Sequence, residues 1–280
     1  SVSGNGNNLG GLVGYNGGTV TNSYWDTQTS GQNTSAGGTG LTTAQFADSS
    51  NFSSWDTSIW MFGDNSIAGY ALYLRPYLKD VTTASDKPNA SILFADGYGT
   101  QENPYTITNW TQLQNINNSN ILTLNYYFKL LNNLSSTTSD YVNIASPMAN
   151  SNKGWNPIGN STNKFTGTFD GNNYTINSLS INNSTSGAYL GLFGYVDSAT
   201  IENLGVTNVN IIGWINSYIG AVVGYENNST ILNSYSSGTL LGGVISRIGG
   251  LVGYSYGSVV EDSYSSANIE GEESSYIGGL

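Results

Sequence analysis

In the second half of the chain the apolar residues come in short bursts cut by Gly, Ser or Asn, never in the three-and-four spacing of an amphipathic helix. Between 248 and 270 they fall into three segments, 248–254, 258–265 and 267–270, rich in β-branched and aromatic residues. That is the spelling of short strands separated by turns. The spelling repeats. Gly191-Leu192-Phe193-Gly194-Tyr195 returns as Ala221-Val222-Val223-Gly224-Tyr225 and as Gly250-Leu251-Val252-Gly253-Tyr254, and starts again at Gly279-Leu280, at steps of 30, 29 and 29 residues. Near the N-terminus the same phrase stands as Gly11-Leu12-Val13-Gly14-Tyr15. A second phrase follows about nine residues later: Asn22-Ser23-Tyr24, Asn233-Ser234-Tyr235 and Asp262-Ser263-Tyr264, with Asn203-Leu204-Gly205 as a variant.

Three short strands per turn at a period near 29 predict an all-β fold, a parallel β-helix in which each strand bonds to its copy one coil on. Coils then stack about 4.8 Å apart. Leu192, Val222, Leu251 and Leu12 are expected to form an inward column. The repeated glycines are read as corner residues, supplying positive φ or close backbone approach. Asn22, Asn203, Asn233 and Asp262 are expected to form a buried side-chain ladder, each amide bonding its neighbour one coil away. A leucine-rich repeat of similar period needs an LxxLxLxxN run, which the sequence lacks.

Along the chain, residues 1–31 read as the last coil or coils of a preceding β-helix. Residues 32–79 read as its cap, with a short helix between Thr42 and Phe52 and the aromatic series Trp55, Trp60, Met61, Phe62, Tyr70, Leu72, Tyr73, Leu74 and Tyr77. An end coil exposes its core and an unpaired edge, and bulky apolar side chains can cover both. Polar, Pro-bearing 80–90 reads as a linker. Residues 91–164 lead into the next β-helix, with a short helix at Asn109–Asn117, and 165–280 hold the regular coils. Joining residue 13 onward after Leu280 would continue the repeat in phase, so the chain is expected to be one unit of a tandem array.

The phrase GGLVGY…GTVTNSYWDTQTSG at 10–31 closely resembles the GLUG repeat of large microbial surface proteins, and Phe165–Ile176, with its Asp170-Gly171-Asn172-Asn173 turn, looks like the hairpin-like stretch that precedes such repeats. The resemblance covers roughly 1–31 and 91–280. It implies an extracellular, cell-surface location and is specific to the repeat, not to an activity. Some GLUG-containing chains are immunoglobulin-cleaving metallopeptidases whose zinc site lies outside the repeats.

Composition narrows the chemistry. With no His the chain has neither a Ser-His-Asp triad nor an HExxH site, and with no Cys neither a disulfide framework nor thiol catalysis. Seven basic against 18 acidic residues, net charge −11, argue against a nucleic-acid partner. No apolar run is long enough for a membrane span. No converging carboxylate constellation of a lyase or glycosidase is visible, so no catalytic residue is assigned.

Glu270, Glu272 and Glu273 read as a solvated acidic surface, with calcium as the one metal they could hold and no other cofactor expected. Tyr15, Tyr195, Tyr225 and Tyr254 should stack in register, either stabilising the coils or binding sugars. A regular threonine face of the ice-binding kind is broken at Val259. Twelve Asn-X-Ser/Thr sequons only slightly exceed what the Ser and Thr content gives. The sequence thus points to a structural and adhesive module, an adhesin stalk or self-assembling filament, whose partners are neighbouring units, copies of itself, glycans or another cell surface. A carbohydrate-binding β-helix, or secondarily a carbohydrate-cleaving one, is the alternative.

Overall fold

A computed structural model of the chain describes residues 2–4, 8–42, 45, 49–61, 77–78, 93–97, 99–118 and 121–280. It divides into two compact units, Ser1–Ile92 and Leu93–Leu280. The expected linker at 80–90, residues 43, 44 and 46–48 of the helix expected at Thr42–Phe52, and Phe62, Tyr70, Leu72, Tyr73 and Leu74 of the expected cap lie outside the described residues.

The second unit is a parallel β-solenoid. One sheet runs through Tyr105–Ile107, Tyr127–Leu130, Thr168–Asp170, Thr200–Glu202, Thr230–Leu232 and Val259–Glu261, all parallel. Its register lines up Tyr105, Phe128, Phe169, Ile201, Ile231 and Val260. A second column is Leu190, Ile219, Ile248 and Ile277, on strands Tyr189–Leu190, Tyr218–Gly220, Arg247–Gly249 and Tyr276–Gly278. A third is Ile181, Ile211, Leu240 and Ile269. In the first coils the core is aromatic: Phe94 stacks on Tyr105 at 4.6 Å, and the fully buried Trp110 and Trp155 pack edge to face at 5.8 Å. Where the coils become regular it turns aliphatic. Like side chains on successive coils bury one another, and each buried Leu or Ile contributes roughly 1.5–3 kcal/mol.

A regular coil carries four strand columns where the sequence predicts three. The expected segment 248–254 is split into Arg247–Gly249 and Val252–Tyr256 by a corner at Gly250-Leu251. There Val222 N and Val223 N both donate to Leu251 O, at 3.0 and 3.2 Å, so one carbonyl serves two amides and the chain must bend. Leu192, Val222 and Leu251 are fully buried at this corner, as expected. The long strand Gly205–Gly213 also shifts register against Tyr235–Gly242 between Val206 and Val209.

Glycine's part in the corners is close approach. A Cβ on Gly220 would stand 2.3 Å from Val223 O, and one on Gly224 2.6 Å from Leu190 N. Positive φ falls mainly on other residues, in columns: Ser198, Asn228 and Gly257; Asn203, Asn233 and Asp262; and Gly187, Asn216, Ile245 and Ser274. The Asp170–Tyr174 turn, with Asn172 and Asn173 at φ 51 and 64, is likewise a corner and not a hairpin, because Thr168–Asp170 and Thr175–Asn177 pair into different sheets. The short helix falls at Trp110–Gln114, and Asn109 Oδ1 accepts Gln112 N at its cap, 2.8 Å.

In the first unit, Tyr24–Asp26 pairs parallel with Thr39–Leu41, and Asp26 caps the helix Thr27–Ser30. Thr42 Oγ1 accepts Gln45 N while Gln45 Oε1 accepts Thr42 N, the reciprocal bonds of a capping box. Tyr24, Phe52, Trp55 and Trp60 form an aromatic cluster, with Trp55 and Trp60 4.3 Å apart. The phrase Gly11–Tyr15 is not a strand here. Leu12 is 43% exposed and so does not join an inward column. A strand needs a paired neighbour along its length. Gly11–Tyr15 has only spot contacts, Gly11 N to Thr34 O and Ala36 N to Val13 O among them.

Candidate functional site

The most organised surface of the solenoid is built by the VGY spelling. In Phe193–Asp197, Val223–Asn227 and Val252–Tyr256 the glycine lets the strand press against the neighbouring strand column, and the next residue, tyrosine, turns outward. Tyr195, Tyr225 and Tyr254 stack at 4.5 and 4.9 Å with 23° between planes, about the coil spacing. A parallel column on the adjacent strands stacks Tyr189 on Tyr218 at 5.1 Å and meets the first edge to face. Burial, with neighbouring phenols adding to it, pushes the Tyr189 and Tyr225 hydroxyls above their ordinary pKa, and burial does the same for Tyr195.

Because the rings stack face on face, the column shows solvent its edges and hydroxyls. Its faces are spent on one another, so a sugar cannot lie flat on an inner ring. Tyr15 is not part of this array: it belongs to the first unit, outside any strand, and is 78% exposed.

The asparagine ladder exists, with one member the sequence reading missed. Asn233 Nδ2 donates to Asn203 Oδ1 at 3.3 Å, and Asn203 Nδ2 donates to Asp170 Oδ1 at 3.0 Å. Asp262 holds the same corner conformation one coil further on, and Asn22 holds it in the first unit. The ladder is not buried: Asn203 is half-buried, and Asn233 and Asp262 are exposed. Corners carry it outward, since a left-handed residue turns its side chain away from both flanking strands.

Burial pushes the Asp170 carboxyl up, but Asn203, the Lys129 ammonium at 2.9 Å and Asn172 N outweigh it and hold the pKa below the ordinary carboxylate value. Beside it Glu202 is raised, by burial and then by the Asp170 charge. The two face each other across paired strands. Asp170 is already engaged by Lys129 and Asn203, which makes the set a charge ladder along the sheet.

Sequence reasoning also passed over a second set of ladders, made by serine. In the later coils the residue after the left-handed corner residue is Ser, and its Oγ accepts an amide from the coil before. Ser229 takes Ala199 N at 3.1 Å and Ser258 takes Ser229 N at 3.0 Å. Ser263 takes Ser234 N at 3.0 Å, and Ser246 and Ser275 continue the third corner. The signal was in the sequence, as Ser recurring at 29-residue steps beside Asn or Asp.

Glu270 and Glu272 line the mouth of a groove of about 350 Å³ with Ile212, Trp214, Leu241 and Gly243. Glu273 sits at the corner, where its carbonyl accepts Ile245 N. Among the described residues no three acidic side chains converge on a metal position, so the calcium reading of these glutamates finds no ligand set. No helix among them is long and apolar enough to cross a membrane.

Residues 242–270 match the GLUG motif. Over 148 residues, 52% of this chain, it is 35% identical to a protein from Evansella cellulosilytica assigned as a Gly-rich membrane protein. Over 206 residues, 72% of this chain, it is 34% identical to the halomucin of Haloquadratum walsbyi. The chain spans only 16% and 2% of these two relatives. A crystal structure from Bacteroides ovatus, assigned as an immunoglobulin A1 protease, aligns with 64% of this chain and 70% of its own at 18% identity and a TM-score of 0.38. The coil-by-coil register shows a β-solenoid, and the repeated phrase and the match at 242–270 show that it carries the GLUG motif.

Proposed function

We propose that the chain is a structural, adhesive module of a much longer extracellular surface protein, a stalk or filament segment without catalytic activity. The observation that supports this reading best is the continuity of the ladders. The strand columns of the regular coils are paired parallel, in register apart from the shift between Val206 and Val209, and tyrosine, asparagine and serine repeat that register in their side chains. Such a stack resists bending and pulling because each coil is bonded to its neighbours along all its sides. The relatives, far longer than this chain, fit a module within an array. Residues 80–90 are its linker and 32–79 a cap. Immunogold labelling of intact cells with antibodies to residues 93–280 is expected to decorate the outer surface; label confined to the cell interior overturns the reading.

Carbohydrate binding is the second reading, supported by the row of phenolic hydroxyls. Two substitutions separate the roles. Tyr225→Phe keeps the ring and removes the hydroxyl, so the structural reading expects unchanged thermal stability and the glycan reading expects lost affinity on a glycan array. Tyr225→Ala removes the stacking partner of both Tyr195 and Tyr254 and is expected to lower stability by about 2–4 kcal/mol in urea denaturation.

A further inference from the structure

Two tyrosine columns begin in the same coil, at Tyr189 and at Tyr195, and they begin differently. Tyr195 carries Tyr225 on one face and has the Lys164 ammonium 5.2 Å from its ring centre, held in place by Asp197 at 3.1 Å. Tyr189 stacks on Tyr218 with 13° between planes, and its other ring neighbours, Tyr195 and Tyr225, meet it edge to face. Among the described residues no second ring and no cation stacks on Tyr189. Its strand is the first of a four-stranded sheet, so no strand of an earlier coil covers it. Tyr189 instead lines a cleft of about 370 Å³ between the irregular first coils and the first regular one.

The rest of the lining is largely amide. Asn117 fixes the backbone of one wall: its Oδ1 accepts Gly159 N at 2.9 Å and its Nδ2 donates to Pro157 O at 3.0 Å. Asn160 Oδ1 accepts both Thr162 N and Asn163 N at 2.9 Å, which sets the turn and leaves Nδ2 as a spare donor. Asn183 Oδ1 accepts Thr185 N at 2.7 Å with the same result. The exposed amides of Asn156 and Asn163 have no partner among the described residues. All four of these asparagines line the cleft, and Leu122 and Pro157 add apolar surface. No charged side chain lines it, although the chain carries a net charge of −11.

An aromatic ring beside spare amide donors and acceptors, with no charge among them, is the complement of a neutral sugar. The C–H face of a sugar ring packs on an aromatic face, and a planar amide offers a donor and an acceptor to adjacent hydroxyls. A charged ligand would lose its hydration here and meet no counter-charge. The volume is near the lower end of the roughly 300–1,000 Å³ of small-molecule sites, room for one or two sugar rings. Asn160 and Asn183 are already held by their turns, so little ordering is lost on binding. We propose that this cleft binds a neutral saccharide, with Tyr189 as its platform and Asn156, Asn160, Asn163 and Asn183 bonding its hydroxyls. The site is separate from the row of phenolic hydroxyls and stands whether or not that row binds sugar.

The test is an array of neutral, sialylated and uronate-bearing glycans probed with the full chain, followed by calorimetric titration of the best-bound free oligosaccharide. Neutral glycans are expected to bind and acidic ones to be refused. Asn156→Ala with Asn163→Ala removes exposed side chains that bond nothing in the fold. It should leave the thermal midpoint unchanged and weaken binding about tenfold. Tyr189→Leu keeps an apolar side chain on the strand, removes the platform and should weaken binding by a similar factor. Tyr225→Phe should retain the affinity that the cleft variants lose. An array on which no neutral glycan binds overturns the proposal, as does affinity that the cleft variants leave intact. Affinity lost in Tyr225→Phe and kept in the cleft variants belongs to the phenolic row and overturns it too. The surface role is judged separately, by the labelling of intact cells.

Discussion

Ile245 stands at φ 62 in a corner column whose other members are Gly187, Asn216 and Ser274. A β-branched residue is a poor occupant of the left-handed region, which costs L residues about 1–2 kcal/mol. The side chain is 44% exposed and recovers little by burial. Ile245→Asn is therefore expected to raise stability by about 1 kcal/mol in urea denaturation, and Ile245→Val to leave it unchanged. Glu226 is the opposite case, a charged residue type in the core. It is fully buried in the column between Val196 and Ser255, and neither carboxyl oxygen has a hydrogen-bond partner among the described residues. Desolvation pushes its pKa up to about 7, and the Ser255 hydroxyl, which falls short of hydrogen-bond geometry, offsets this only in part.

The folded state then holds the Glu226 proton more tightly than the unfolded chain, whose carboxyl titrates near 4.5. Its contribution is fully present below pH 4.5, is lost as pH rises toward 7, and is gone above that. The swing is roughly 3 kcal/mol at about 1.4 kcal/mol per pKa unit. Glu226→Val, which repeats the Val196 below it, is expected to flatten this part of the pH profile and to be more stable than wild type at pH 8. Equal pH dependence in the two proteins would contradict the assignment.

At the scale of elements, corners carry the design. Three of the four corners of a regular coil combine a left-handed residue with a serine whose hydroxyl caps an amide of the preceding coil. Ser229→Ala removes the acceptor of Ala199 N, an amide in a residue only 3% exposed, and is expected to cost about 1–3 kcal/mol. Ser229→Thr, which retains a hydroxyl, should recover part of that loss; a silent Ser229→Ala would remove the serine ladders from the account. The strand columns were legible in advance, because Leu192, Val222 and Leu251 recur at the coil period and apolar residues at that spacing have one place to go. The corners were legible only in part. Gly draws attention as a turn former, yet in the regular coils Asn, Ser, Asp262 and Ile245 take most of the positive φ, with Gly187 and Gly257 among them, while many other glycines serve packing. Asp170 was invisible as a ladder member because it precedes the regular repeat, with Asn203 33 residues away rather than 29 or 30. Gly11–Tyr15 reads like a strand and is not one, since a strand depends on a neighbour that its own spelling does not reveal.

At the scale of the unit Leu93–Leu280, parallel strand pairing runs from Tyr105 to Gly278, with the core passing from aromatic rings to aliphatic columns and stacked tyrosines on more than one of its sheets. An arrangement that repeats its contacts at each coil is mechanical in character: load on one coil passes to the next through backbone bonds and stacked rings alike. The measurement that tests this most directly is electron microscopy of the full-length protein purified from its native source. The account expects extended rods or fibres with a periodicity near 4.8 Å along their length, the spacing of stacked coils. Compact particles without such a periodicity would contradict it.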